Sequence, residues 1–132
     1  MEQQKHLDCG ILSSFPPLDG AYLDKLLAEQ VSRDHTKLVV LDDDPTGVQT
    51  VHDVSVYTDW SEAYIRQGFA EQNKLFYILT NSRGMTPPET EALHRRLART
   101  IDRTAKEFGV EYMIMSRSDS TLRGHYPLET QV

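Results

Sequence analysis

The chain has 132 residues, enough for one domain with a hydrophobic core. Its 20 Asp and Glu side chains outnumber its 14 Lys and Arg side chains, which argues against nonspecific binding to nucleic acid or to an anionic membrane. The single cysteine, Cys9, makes neither an internal disulfide nor a cysteine zinc site, and no apolar run approaches the roughly 20 residues of a transmembrane helix. The N-terminus is too polar for a signal peptide, so we predict a cytoplasmic protein with no nucleic-acid or membrane partner.

We predict two regions, an N-terminal arm with a short helix over residues 1–36 and an α/β domain over residues 37–132. Asp19 is the expected cap of the short helix. Runs of apolar and β-branched residues predict four strands, and a helix is expected to begin after Ser61. The predicted strands are "KLVVLD" (37–42), "DVSVYT" (53–58), "KLFYILT" (74–80) and "EYMIMS" (111–116).

The longest predicted helix follows the third strand. Thr86 and Glu89 have the spacing of a capping box, and Gly109 is the expected end. One face carries the apolar residues Leu93, Leu97, Ile101, Ala105 and Phe108. We expect His94 to lie on the solvated face of this helix, and Met113 and Met115 to lie in the core.

Strands that alternate with helices predict an α/β, Rossmann-like fold with a mostly parallel sheet and flanking helices. Polar clusters follow three of the strands: "DDDPTG" (42–47), "TNSRG" (80–84) and "SRSDSTLRG" (116–124). In such sheets ligands bind where the carboxyl ends of the strands meet the loops, so we expect the three clusters at one edge. No predicted helix or strand closes the fold after the third cluster, which leads us to expect an incomplete N-terminal domain.

The second and third clusters bring Arg83, Arg117 and Arg123 to that edge. Guanidinium groups bind a carboxylate or phosphate in bidentate fashion, whereas Asp119 and the neighbouring hydroxyls suit a polyol. The alternative is a pair of solvated turns with internal Arg–Asp contacts. We expect the three guanidiniums to face one cavity.

The first cluster admits three interpretations. Asp44 caps the turn around Pro45, adjacent carboxylates bind Mg²⁺, or the carboxylates accept hydrogen bonds from substrate hydroxyls. Gly47 would let a ligand approach the backbone closely.

Together, the motifs "DDDPTG", "TNSRG" and "SRSDSTLRGH" resemble the sugar-binding N-terminal domain of the four-carbon acid sugar kinases, which include threonate, erythronate and 3-oxo-tetronate kinases. The resemblance covers roughly residues 37–130 and implies an ATP-dependent kinase, a phosphotransferase that acts on a hydroxyl of a small-molecule sugar acid. It also implies that ATP and Mg²⁺ are bound mainly by a C-terminal domain that this chain lacks, so the fragment alone is expected to be inactive. Pro45 and Arg117 depart from the family pattern, in which many members have an apolar residue and lysine.

The resemblance and the turn chemistry give one set of candidate substrate-binding residues: Asp43, Asp44, Gly47, Ser82, Arg83, Arg117, Asp119, Ser120 and Arg123. Asp43 is also the catalytic candidate. We predict that it projects into the cleft, accepts hydrogen bonds from substrate hydroxyls and aids deprotonation of the attacking one. Asp44 is expected to organise the turn, and Asp42 to be the most replaceable of the three for catalysis. No residue is predicted to be a metal ligand on this interpretation.

Two other functions compete with the kinase. "VVLDDDPTG" also fits the first motif of haloacid-dehalogenase-like phosphatases, with Asp42 as nucleophile, Asp44 as general acid and Mg²⁺ as cofactor, and Thr80 would end the second motif. That interpretation leaves "SRSDSTLRG" unexplained. The third function is a sugar-acid-binding module without catalysis. The sequence leaves open which sugar acid binds, which hydroxyl reacts, and whether the protein is a homo-oligomer.

Overall fold

A computed structural model describes residues 8–49, 51–119 and 123–132. The chain divides into two compact units, Met1–Asp34 and His35–Val132. Within the described ranges, no helix is both long enough and apolar enough to cross a lipid bilayer.

The first unit contains a short 3-10 helix, Cys9–Ser14, and helix α1, Gly20–Arg33. The Asp19 carboxylate accepts a hydrogen bond from the backbone N–H of Tyr22 at 3.0 Å and so caps α1, as predicted. This contact pairs one of the amides that the first turn of a helix leaves without an internal partner.

The second unit is built on a four-stranded, all-parallel sheet, which confirms the predicted α/β class. The strand order is β2-β3-β1-β4, and the strands are β1 (Lys37–Asp42), β2 (Val56–Tyr57), β3 (Leu75–Leu79) and β4 (Tyr112–Arg117). The register pairs Asp42 with Leu79 on one side and with Arg117 on the other. The loops after β1, β3 and β4 therefore leave the sheet at the same level.

The described residues of this unit form three α-helices, α2 (Glu62–Ala70), α3 (Pro87–Phe108) and α4 (Leu128–Gln131), and a short 3-10 helix, Ser82–Gly84. The backbone N–H and the hydroxyl of Thr86 both donate to the Glu89 carboxylate, at 2.8 and 2.7 Å, and Gly109 ends α3 in the left-handed region. The core lies between the sheet and helices α2 and α3. Its buried members are Val39, Leu41, Tyr57, Ile65, Phe69, Phe76, Ile78, Leu93, Leu97, Ile101 and Ala105.

Two expectations about burial are wrong. His94 is buried, because it follows Thr90 by one helical turn on the inner side of α3, and its Nδ1 donates to the Thr90 carbonyl at 2.9 Å. Met113 and Met115 are 62% and 48% exposed. Side chains alternate along a strand, and in β4 the side chains that pack against the core are those of Tyr112 and Ile114.

The second strand is shorter than predicted. Only Val56 and Tyr57 pair with β3, whereas the sequence predicted a strand over residues 53–58. Asp53 has a φ of 56°, which is incompatible with an extended strand at that position.

Candidate substrate-binding site

The turn after β1 is folded over an ion pair between the buried Asp42 and the partly exposed Arg117. The Asp42 carboxylate is buried, accepts the Asp44 backbone N–H at 3.0 Å, and lies 3.2 Å from Nη1 of Arg117. A Cβ on Gly47 would lie 1.9 Å from Oδ2 of Asp42 and 2.2 Å from Nη1 of Arg117. Gly47 thus permits close approach of the backbone to this ion pair, where the sequence had suggested approach of a ligand.

Asp44 organises the next part of the turn and also faces outward. Its Oδ1 accepts the Thr46 backbone N–H at 2.9 Å, and its carbonyl accepts the Gly47 N–H at 2.9 Å. Its Oδ2 lies 2.7 Å from Nη1 of Arg83. The hydrogen bond from Thr46 is the main cause that lowers the pKa of Asp44, and the charge of Arg83 acts in the same direction, so this carboxylate is ionised at neutral pH.

The turn after β3 directs Arg83 toward the same place. Asn81 has a φ of 52°, a left-handed conformation that asparagine tolerates better than most residues. Arg83 then bridges three carboxylates, with nitrogen–oxygen distances of 3.0 Å to Asp43, 2.7 Å to Asp44 and 3.6 Å to Asp119. The hydrogen bond to Asp43 is the main cause that raises the pKa of Arg83, which stays a cation.

Ser82 lies beneath the site and does not line its wall. It is fully buried, and its hydroxyl donates to Oε1 of Glu129 at 3.0 Å. Its oxygen also lies 3.1 Å from the hydroxyl of Thr80, which donates to the Asp42 carbonyl at 2.9 Å. These contacts join the ends of β1 and β3 to helix α4.

The expectation that Asp43 projects into the cleft is wrong. Asp43 is 2% exposed, its Oδ1 pairs with Arg83, and its Oδ2 accepts the Asp119 backbone N–H at 2.9 Å. Hydrogen bonding to β4 continues one residue past the end of β1, because the Asp43 N–H donates to the Arg117 carbonyl at 3.3 Å. The Asp43 side chain is therefore held between the loops that follow β3 and β4.

A cavity of about 380 Å³ lies over these loops. Its lining includes all three arginines, as predicted, so the three strand-end clusters do share one site. Arg123 lies with its Nε 2.6 Å from Oδ2 of Asp119. The complete lining is Asp44, Arg83, Arg117, Ser118, Asp119 and Arg123.

The sequence missed two residues of this region. Ser118 lines the cavity between two predicted site residues, and its place in the third cluster was the signal available. Glu129 contacts Ser82 from α4, and nothing in "HYPLETQV" distinguished it. Ser120 lies outside the described residues.

The charges around the cavity nearly balance. Three guanidiniums, those of Arg83, Arg117 and Arg123, lie among four carboxylates, those of Asp42, Asp43, Asp44 and Asp119, which leaves one formal negative charge. The Arg117 and Arg123 side chains are 43% and 70% exposed, so parts of both guanidiniums remain open to a ligand. The site therefore presents hydrogen-bond donors and acceptors side by side.

The cavity does not have the composition of a metal centre. In the ranges that the structure describes, no group of three or more His, Cys, Asp and Glu side chains is arranged to hold a metal ion. Both carboxylates that line the cavity are already paired with a guanidinium. Asp42, the nucleophile of the phosphatase hypothesis, is buried against Arg117 and is not in the cavity wall.

A family model described as "Sugar-binding N-terminal domain" matches residues 38–132. The match begins within β1, extends through α4, and includes every residue that lines the cavity. No curated protein and no solved structure matches the chain significantly.

Proposed function

Because this chain belongs to the sugar-binding N-terminal domain family of the four-carbon acid sugar kinases, we propose that its cavity binds a four-carbon sugar acid for phosphorylation by ATP. The observation that supports this is the mixture of groups in one cavity, where Arg117 and Arg123 lie beside Asp44 and Asp119. A sugar acid needs both kinds of partner, since it carries one carboxylate and several hydroxyls.

In this proposal the arginines hold the carboxylate of the sugar acid. Arg117 contacts Asp42 and Arg123 contacts Asp119, and part of each guanidinium stays exposed to a ligand. Charge-assisted hydrogen bonds from a guanidinium to a carboxylate are about twice as strong as neutral ones.

Asp44 and Asp119 accept hydrogen bonds from the hydroxyls. An ionised carboxylate is an acceptor only, so it distinguishes hydroxyls from the other end of the ligand. The lowered pKa of Asp44 keeps it in this acceptor form and makes it a weak base.

The catalytic role of Asp43 stays a prediction. As a general base it would need to reach the reacting hydroxyl, whereas both of its oxygens are hydrogen-bonded, one to Arg83 and one to the Asp119 N–H. Its contacts support a second role, which is to hold Arg83 and the loop after β4 in place.

The family resemblance implies that ATP and Mg²⁺ are bound mainly by a separate C-terminal domain, and this proposal places neither of them in the cavity. Mg²⁺ would neutralise phosphate charge during phosphoryl transfer. The described residues contribute the acceptor side of the reaction: they hold the carboxylate and orient the hydroxyls.

Binding of threonate or erythronate to the 132-residue chain, measured by calorimetry, tests the proposal. We expect Arg123→Gln to weaken binding about tenfold or more, because it removes a charge-assisted partner of the ligand carboxylate. Arg103→Gln is the matched control, since Arg103 is another exposed arginine in an ion pair but contacts Glu62 on a helix. If neither sugar acid binds, or if both variants bind like the wild type, the proposal fails.

Kinetics separate the two roles of Asp43, in a protein that contains this chain and phosphorylates a sugar acid. A base role predicts that Asp43→Asn lowers kcat on the order of 10²-fold. A role in holding Arg83 predicts instead a higher KM for the sugar acid with a smaller change in kcat. Mg²⁺-dependent hydrolysis of an aryl phosphate by the chain, abolished by Asp42→Asn, would favour the phosphatase over the kinase.

A further inference from the structure

Glu129 is a buried carboxylate that the sugar-acid site does not use directly. It lies on α4, is 6% exposed, and accepts the Ser82 hydroxyl at 3.0 Å through Oε1. Its Oε2 is buried without a hydrogen-bond partner among the described residues. No ion pair to Glu129 occurs in the same part of the chain.

A carboxylate buried in this way is not expected to stabilise the fold. Burying an ionised or half-satisfied carboxylate is unfavourable unless cations or several donors compensate it, and Glu129 has one described donor. The position of Ser82 indicates what the contact achieves instead. Ser82 directly precedes Arg83 and begins the 3-10 turn Ser82–Gly84. Met85, the residue after this turn, donates its backbone N–H to the Ser82 carbonyl at 2.9 Å.

The same turn is joined to the segment after β4 at two further places. His125 Nε2 donates to the Met85 carbonyl at 2.9 Å. Arg83 lies 3.6 Å from the Asp119 carboxylate. Glu129 therefore completes a set of three contacts that hold the Arg83 turn against the segment that carries Asp119 and Arg123.

We propose that Glu129 is a positioning residue, which holds Ser82 and thereby fixes the turn that directs Arg83 into the cavity. The hydrogen bond between Glu129 and Ser82 should fix the turn whether or not a sugar acid binds. Its expected effect on ligand affinity rests on the proposed function. Removing the acceptor leaves the Ser82 hydroxyl with Thr80 as its remaining side-chain partner, so the turn loses its tie to α4.

Amide hydrogen exchange tests the effect on the turn. In Glu129→Ala we expect the Gly84 and Met85 amides, which donate to the Asn81 and Ser82 carbonyls, to exchange about tenfold faster than in the wild type. Glu129→Gln retains an acceptor oxygen and should return these rates to within about threefold of the wild type. Wild-type exchange at both amides in Glu129→Ala would overturn the inference.

Threonate affinity tests the consequence for the cavity. We expect Glu129→Ala and Ser82→Ala each to weaken binding about tenfold, and the double variant to bind no more weakly than either single variant, since both remove one contact. Glu71→Ala is the matched control: Glu71 also accepts one buried hydroxyl, from Tyr57, but it lies near the amino ends of the strands. It should lower thermal stability and leave affinity and the two amides unchanged.

The outcomes separate this inference from the proposed function. If the wild-type chain binds no sugar acid while Glu129→Ala still accelerates exchange at Gly84 and Met85, the proposed function fails and the positioning role stands. If threonate binds and Glu129→Ala lowers only the thermal stability, as Glu71→Ala does, the positioning role fails and the proposed function stands.

Discussion

Three adjacent aspartates have three different environments at the end of β1. Asp42 holds Arg117 from beneath the turn, Asp43 joins Arg83 to the loop after β4, and Asp44 faces the cavity. Their mutual repulsion is offset because each has an arginine within ion-pairing distance. A run of like charges is thus compatible with a buried strand end when the neighbouring loops supply cations.

Gly47→Ala tests how tightly the first turn is packed on its ion pair. The new Cβ would overlap Oδ2 of Asp42 and Nη1 of Arg117, so the pair must move or the turn must open. We expect the free energy of unfolding to fall by about 1–3 kcal/mol, as overpacking typically costs, and sugar-acid affinity to fall because Arg117 is displaced. Urea unfolding and calorimetry measure the two effects.

Gly84→Ala is the control for that substitution, because a Cβ at Gly84 meets no other atom within 4 Å. It should change the free energy of unfolding by no more than about 0.5 kcal/mol. Equal unfolding midpoints for the two variants would contradict the packing that the Gly47 environment implies.

Some residues of the site could be predicted from the sequence, and others could not. Arg83, Arg117 and Arg123 were predictable because each follows a recognisable strand, and parallel strands bring their carboxyl ends to one edge. The direction of the Asp43 side chain could not be predicted, because it depends on a hydrogen bond from the Asp43 backbone to the carbonyl of Arg117, 74 residues further along the chain. The contact of Ser82 with Glu129 was hidden for the same reason.

At the scale of elements, β2 depends on a side-chain contact. β2 has only two residues, and although both pair with β3, so short a strand is held weakly by backbone pairing alone. The Tyr57 hydroxyl donates to the carboxylate of Glu71, the residue that follows α2, and so ties β2 to the end of that helix. Lys37 donates to the Glu71 and Asn73 carbonyls at 2.7 and 2.5 Å, which fixes the same loop to the start of β1.

The Tyr57 contact predicts a loss of stability at high pH. Burial, assisted by the Glu71 carboxylate, raises the pKa of Tyr57 to about 12 from its ordinary value of 10.0. The folded chain keeps this proton while the unfolded chain loses it near pH 10, so the contribution is complete below pH 10 and is lost as the pH rises through 12. We expect the free energy of unfolding to fall over this interval.

Urea unfolding of the wild type and of Tyr57→Phe between pH 9 and pH 12 checks this expectation. The phenylalanine variant should show a smaller fall, because the titrating group is gone. Tyr126→Phe is the control, since Tyr126 is exposed. Parallel pH profiles for the wild type and Tyr57→Phe would contradict the link between burial and titration.

Elements with their own local signals were the predictable ones. The capping box that begins α3 and the glycine that ends it, Gly109, are each recognisable from a few neighbouring residues, and the structure contains both. Local pattern could not give the length of β2 or the exposure of Met113 and Met115, because these follow from which neighbours cover a strand. His94 was misplaced because the exposed arginines beside it, Arg95 and Arg96, suggested a solvated face.

At the scale of the whole molecule, charge restricts the ligand. The chain carries a formal charge of −6, and the residues around the cavity contribute one negative charge in excess of their cations. The lining itself, without the buried Asp42 and Asp43, has three guanidiniums and two carboxylates, so the single carboxylate of the proposed ligand would balance its charge. If the ligand binds as we propose, with its hydroxyls at Asp44 and Asp119, a second anionic group in place of those hydroxyls would face two carboxylates.

This charge balance predicts discrimination between four-carbon hydroxy acids of different charge. Threonate and tartrate share a four-carbon skeleton with two neighbouring hydroxyls, but tartrate has a second carboxylate where threonate has a terminal hydroxymethyl group. We expect threonate to bind about tenfold more tightly at low ionic strength, because like charges a few ångströms apart repel by about 1 kcal/mol or more even where water screens them well. Calorimetric titration at about 20 mM and 300 mM salt should show the ratio narrowing as salt screens the repulsion. Erythronate, which has the same charge as threonate, controls for stereochemistry and should show no such dependence relative to threonate. Tartrate binding as tightly as threonate at low salt would mean that the carboxylates around the cavity do not select ligands by charge.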